Sequence, residues 1–334
     1  MPGRLHNLAL CFDARFKRLG QLGDLEQAIT LYSRVASAPT GPITTRFDAS
    51  QNWILCARHA RHHSLFHAHS VAITLLPQLA WIGFSLTRRY QELRYGADVV
   101  REAAAAALDA GLPRTAVEWL EQGRSIIWGE LHQLRSSYED LSSAHPEHAH
   151  RLRELSSALE QAGATREQSL SAISEGIPNE VHDATESLQQ QTDRHCTLAI
   201  ERDKLLQEIR SLPGFEQFLR YKEFSQLRAS AHSGPVVILN TAENRCDALI
   251  VLAGVDHIIH VPLPHFTFKR SADLQMILKN FLRHAHIIRS DDREGQRTTL
   301  DGVSWQTFLA TLWRCIVKPI LDALAFSVRH VIGT

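Results

Sequence analysis

The stretch "DVVREAAAAALDAGLPRTAVEWL", Asp98 to Leu120, decides the fold class. Its alanine-rich first half is a strong helix former, Gly111 supplies a stop, and Pro113 opens a second helix where its missing N–H is no loss. Two helices joined by so short a turn pack as antiparallel neighbours. The second one runs on through "AVEWLEQGRSIIWGELHQLR", Ala116 to Arg135, in which Ala116, Leu120, Gly123, Ile127, Leu131 and Leu134 recur at steps of three and four. That spacing makes a continuous apolar seam, widened by Trp119 and Ile126, with Glu118, Glu121, Arg124 and Arg135 on the wet side. Gly123 costs about 1 kcal/mol relative to alanine in a helix interior, so close contact with a neighbouring helix is the expected compensation. The two tryptophans therefore read as packing residues rather than as parts of an active site.

Outward from this pair the pattern repeats. "LEQAITLY" from Leu25, "HSVAITLL" from His69 and "PRTAVEWL" from Pro113 place Ala28, Ala72 and Ala116 forty-four residues apart, a period that suits stacked helix pairs. Leu5, Leu8, Phe12, Phe16 and Leu19 form the stripe of a first helix, and Asp24 is positioned to cap the second. Residues 1–140 thus read as helical repeats. From 141 to 213 the composition turns to Gln, Ser, Glu and Arg. Leu152, Leu155 and Leu159 form one narrow stripe; Leu188, His195, Leu198, Arg202, Leu205, Ile209 and Leu212 form a second, so a helical hairpin is expected, with Pro178 in the flexible connection between its arms.

Residues 214–334 follow a different grammar. "PVVILNTA", "CDALIVLAG" and "DHIIHVPLP" are short Val- and Ile-rich runs bounded by Asn244, Gly254 and Pro264, which predicts three consecutive strands. Two helices are expected next, Ala272 to Arg289 and Val303 to Ala325, the latter interrupted at Pro319; "SVRHVIGT" reads as a fourth strand. Such a sheet has an unfinished look. The whole is mostly α, ending in a small incomplete α/β domain.

Composition narrows the function classes. Of 334 residues 44% are hydrophobic, enough for a core in each of two domains, and 36 basic side chains balance 36 acidic ones. No net field recruits nucleic acid or an anionic membrane. The run Ser70 to Leu86 is uncharged but shorter than the ~20 residues of a bilayer span, and the N-terminus lacks a signal core. Cys11, Cys56, Cys196, Cys246 and Cys315 form neither a CxxC pair nor a disulfide framework, which fits a reducing cytoplasmic setting.

Candidate chemistry is sparse. Cys56, His59, His63 and His67 recur at helical steps as nitrogen and sulfur ligands would, but the turn at Ser64 breaks the face, and no metal site is expected. Cys246 begins a strand and His257 or His260 lies on the next, so hairpin pairing offers a Cys–His approach; a cysteine in a Val-rich strand is more often an inert small hydrophobe. Cys315 lies in a helical run whose stripe suggests burial. Asp291 and Asp292 sit in a polar loop. No GxGxxG, GxxxxGK[ST], HExxH or GxSxG motif occurs, so no catalytic, cofactor-binding or metal-binding residue and no cofactor is assigned.

"AVEWLEQGRSIIWGELHQLR", "LSSAHPEHAHRL", "LPGFEQFL", "GPVVILNTAENRCDALIVL" and "HVPLPHFT", in that order, resemble the C-terminal portion of fungal TPR proteins that carry a CHAT domain, of the caspase-like cysteine peptidase clan. "FKRLGQLGDLEQAI" is similar to their degenerate TPR units. The resemblance spans most of the chain and is most specific from Ala116 to Leu252. It implies TPR-like helix pairs leading into a caspase-like α/β domain. The family's "HxACHG"-like and "SAC"-like catalytic segments are missing, so no catalytic role carries over to Cys246 or Cys315. The ending "FSVRHVIGT" is similar to the strand that follows the cysteine in the family, which implies that the catalytic section has been skipped. The expected function is a protein-interaction or regulatory module holding a protein or peptide partner on its helical repeats; the alternative is a fragment of a CHAT cysteine endopeptidase.

Overall fold

The computed structural model describes residues 2–39, 41–80, 86–174, 194, 197–198, 200–219, 223–284 and 304–332, with only the backbone described for 77–80, 86–96, 125–137, 160, 162–174, 284 and 326–332. The protein is mostly helical with one small antiparallel sheet. Its contacts divide it into two compact units, Met1–Ala106 with Glu118–Lys222, and Ala107–Val117 with Glu223–Thr334.

In the first unit α1 (Pro2–Leu19), α2 (Leu22–Ala36), α3 (Ile43–His59) and α4 (Leu65–Ala80) pack in sequence, each against the next. Ala28 and Ala72, at matching points of the sequence repeat, are fully buried, as is Ala116. The turn between α3 and α4 covers residues 60–64, where Ser64 predicts it. Asp24 does not cap α2. Gln21 occupies the N-cap, and Asp24 lies inside the first turn, where Arg15 of α1 grips both its carboxylate oxygens. A longer-range partner has thus taken the side chain that local capping would have used.

Next come α5 (Leu86–Asp109) and α6 (Pro113–Ala144). Gly111, at φ 71°, ends α5 in a left-handed turn: its N–H donates to Leu108 O, and the N–H of Leu112 donates to Ala107 O. This pair of bonds is the Schellman pattern, and only glycine enters it without strain. The expected close approach at Gly123 is present. A Cβ on Gly123 would lie 2.6 Å from both Cγ atoms of Val100 on α5. Trp119 is buried and stacks on Phe66 at 5.2 Å between ring centroids. The rest of the predicted seam, Ile126 to Leu134 with Trp128, lies outside the described side chains.

The two predicted hairpin stripes meet in one core. Leu152 and Leu155 of α7 (Pro146–Ser174) join Leu205, Leu206 and Ile209 of the helix at 200–210, here α8, with Leu141 and Phe218 closing the cluster. Leu188, His195 and the tip around Pro178 lie outside the described residues.

In the second unit the single turn α9 (Phe224–Leu227) leads to β1 (Val236–Thr241), β2 (Cys246–Val251) and β3 (Ile259–Pro262), which form an antiparallel meander in the order β1-β2-β3. Every residue of β2 is buried, as its near-continuous apolar run requires for a strand covered on both faces. On one face Cys246, Ala248, Ile250, Val261 and Leu263 pack against α10 (Phe268–His284), α11 (Trp305–Leu312) and α12 (Lys318–Ile332).

Two expectations are corrected here. Pro319 does not interrupt the last helix. A π turn at Trp313–Val317 precedes it, and the wider turn absorbs the missing N–H and the ring's clash with the preceding carbonyls. "SVRHVIGT" is not a strand, since α12 continues to Ile332. Val328, Val331 and Ile332 follow Leu321 and Leu324 at steps of three and four, and that helical period outweighs their β-branched composition. No helix among the described residues is long and apolar enough to cross a membrane.

Candidate functional site

Strand pairing decides the approach of Cys246 to His260, and His257 lies in the bend before β3 rather than on the strand. Alternation along β2 turns Cys246 toward the helices and Asp247 to the opposite face. His260 is the register partner of Leu249, so it shares the face of Asp247. Cys246 and His260 therefore point away from each other across the sheet. Burial pushes the Cys246 thiol pKa up, and the nearby Asp247 charge adds to the shift. Its Sγ lies 4.0 Å from Ala242 O. A protonated, buried thiol without a base is a core residue. Cys315 is likewise buried, 3.7 Å from Arg270 Nη1, and sits in the helix layer beside Ile316 and Phe308.

What β2 and β3 do assemble is an acid–base pair. Asp247, with a side chain 1% exposed, accepts from Arg245 Nε at 2.7 Å and Arg245 Nη2 at 2.7 Å, a two-pronged grip. His260 Nε2 lies 2.7 Å from Asp247 Oδ1 and 3.3 Å from Arg245 Nη2. The shorter contact assigns the proton to Nε2, donating to the carboxylate and leaving Nδ1 as the basic nitrogen. Arg245 Nη1 also pairs with Asp109 at the end of α5. Burial alone would raise the Asp247 carboxyl, but hydrogen bonds from Arg245 and His260 outweigh it and hold the pKa below the ordinary value. The same contact with Asp247 raises the Arg245 pKa. The cluster orients an imidazole as a general base requires, yet no described hydroxyl or thiol is bonded to that imidazole. It works as a polar clamp joining the β1–β2 turn, β2, β3 and Asp109.

Sequence reasoning missed this cluster. Its signal was an aspartate inside an otherwise apolar strand, two residues after an arginine and one strand away from a histidine; each is ordinary alone.

The histidine-rich segment does not converge. Cys56 Sγ lies 3.7 Å from Asp13 Oδ1, and burial with the Asp13 charge pushes its pKa up to about 12. His59 packs edge-on against Phe16 and His67 edge-on against Trp53, while His63 lies tilted over His62. No group of three potential ligands comes together among the described residues. Asp291 and Asp292 lie outside them.

No family model, curated protein or solved structure matches the chain.

Proposed function

We propose that this chain is a protein-interaction or regulatory module of the TPR/CHAT type, in which the helix-pair region holds a protein or peptide partner and the sheet-containing unit has no peptidase activity of its own in this form. The observation that carries the proposal is the serial packing of α1 to α4 with Ala28 and Ala72 buried at their repeat positions, and Ala116 buried at the matching point of α6. Repeated units of this kind present a run of helix faces whose outward side chains are free to vary for recognition while the small inward residues keep the spacing. The opposed faces of Cys246 and His260 support the second half of the proposal, because covalent acyl transfer needs a thiolate beside its base.

Cross-linking the full chain in extracts of its own cells tests this. Partner cross-links falling on residues 1–140 are expected; cross-links confined to 235–334 would count against the helical region as the binding element. Thiol-dependent cleavage of a peptide library, abolished by Cys246→Ala or Cys315→Ala, would sink the reading and favour a peptidase fragment.

A further inference from the structure

Three rows of side chains at i+4 spacing run along the last helices. Phe308, Leu312, Ile316, Ile320 and Leu324 form the row packed on the sheet. The neighbouring row, Trp305, Leu309, Trp313, Val317 and Leu321, is equally apolar and lies open, with Leu309 at 56% and Trp313 at 52% exposure. Beyond it runs a polar row of Gln306, Ala310, Arg314, Lys318 and Asp322. A four-residue step drifts around an α-helix, because a turn takes 3.6 residues. The π turn at Trp313–Val317, closed by longer bonds, takes back part of that drift and keeps the open row on one flank.

A helix apolar on both sides calls for a second neighbour. The row has the size for one. Each tryptophan side chain brings roughly 150–250 Å² of surface when counted whole, so two half-exposed indoles with Leu309, Val317 and Leu321 reach the range of about 300–600 Å² typical of the largest patch on a monomer. With the polar row as rim, the area approaches the ~800 Å² per partner of a stable interface. Trp305 is also held ready, stacked on Phe281 at 4.3 Å between centroids, so little side-chain freedom is lost on docking.

We propose that the occupant is a second copy of this chain, its α11–α12 row packed antiparallel to the first about a two-fold axis at Trp313. The row is evenly spaced about that residue, so the two-fold places Trp305 on Leu321, Leu309 on Val317 and Trp313 on its own mate, one large or medium side chain against a complementary one each time. Charge selects the same direction. The polar row is neutral in its first half, Gln306 and Ala310, and cationic at Arg314 and Lys318, where Asp322 pairs with Lys318 at 2.6 Å. Antiparallel packing sets each Lys318 beside the neutral half of the other copy, Gln306 and Ala310, whereas parallel packing would oppose Lys318 to Lys318; Arg314, one residue from the axis, lies near its own mate in either arrangement. A self-complementary patch of this kind closes as a dimer rather than growing into a filament.

Analytical ultracentrifugation of the full chain across a wide concentration range gives the first test. A dimer is expected, and Trp313→Glu should raise its dissociation constant roughly 30-fold or more, as loss of a central aromatic anchor does, with the far-ultraviolet circular dichroism unchanged. Should that variant lose its helical signal, orientation decides instead: in a background of Cys11→Ser and Cys196→Ser, a mixture of Leu309→Cys and Val317→Cys chains should cross-link faster than either alone. A monomer at every concentration, a dimer indifferent to Trp313→Glu, or Leu309→Cys cross-linking best to itself would each overturn the proposal. The helix-repeat proposal is independent of it, since a monomer that still captures partners on residues 1–140 would sink the dimer alone.

Discussion

At the scale of single residues, two buried positions set the behaviour of the helical unit. Gly123 leaves room that Val100 fills, its two Cγ atoms 2.6 Å from where a Cβ would stand. Alanine would add about 1 kcal/mol of helix propensity, but valine is stiff at χ1 and cannot swing away, so overpacking of roughly 1–3 kcal/mol wins. Gly123→Ala is therefore expected to lower stability in urea unfolding, and Val100→Ala added to it should recover part of the loss. A stabilised Gly123→Ala protein would mean that α5 and α6 are not held at this distance.

His69 is 1% exposed and its Nδ1 has no hydrogen-bond partner among the described residues. Burial, with the Arg58 charge nearby, pushes its pKa from the ordinary 6.5 down to about 4. The unfolded chain then binds a proton between those values that the folded chain refuses, so stability falls as pH drops through that window. The loss amounts to about 3 kcal/mol once pH reaches the folded value. His69→Leu should flatten this limb. Urea midpoints of the helical signal at pH 7, 5.5 and 4 would show it, and an equal slope in both proteins would exclude His69 as the cause.

At the scale of elements, legibility followed the period of the chain. The helices, Gly111 and the three strands were readable because each is a local pattern. The stripes of Leu152 and Leu205 could likewise be paired, since each was too narrow to stand alone. What local patterns could not reveal was competition between partners. Asp24 looked like a cap because nothing in the sequence places Arg15 beside it, and "SVRHVIGT" looked like a strand because composition was weighed above spacing. Asp247 stayed invisible for the same reason: its worth comes from Arg245, His260 and Asp109 arriving together. Removing the carboxylate leaves a partly buried arginine and histidine facing each other, which costs roughly 2–4 kcal/mol when partners of a buried pair are separated. Asp247→Asn should show this at pH 7. Because the Asp247 pKa is depressed, its contribution is complete above the ordinary carboxylate range and fades as pH falls below about 4. The gap between wild type and variant should close there; a gap independent of pH would argue that packing, not charge, is at stake.

At the scale of the molecule, the chain does not divide at one point. The sheet-containing unit draws Ala107–Val117 from far upstream, and the contacts explain why. Asp109 pairs with Arg245, Arg114 donates to Asp256 O, and the same guanidinium lies 5.5 Å over the Phe224 ring. The Schellman turn at Gly111 puts both side chains on one tight corner, so this segment packs with the sheet although it lies within the helices α5 and α6. Residues 223–334 expressed alone would keep the hydrophobic cluster but lose Asp109 and Arg114, leaving Arg245 and Asp256 each short of a partner. Amide exchange at Leu249 and Ile250, fully buried in the central strand, is the sensitive readout because those amides open only when the sheet does. Exchange should be faster in the isolated segment than in the full chain, and Asp109→Ala in the full chain should reproduce part of the acceleration. Equal protection in segment and full chain would show that the sheet and its three helices stand without the borrowed corner, and that the corner's contacts follow from folding rather than support it.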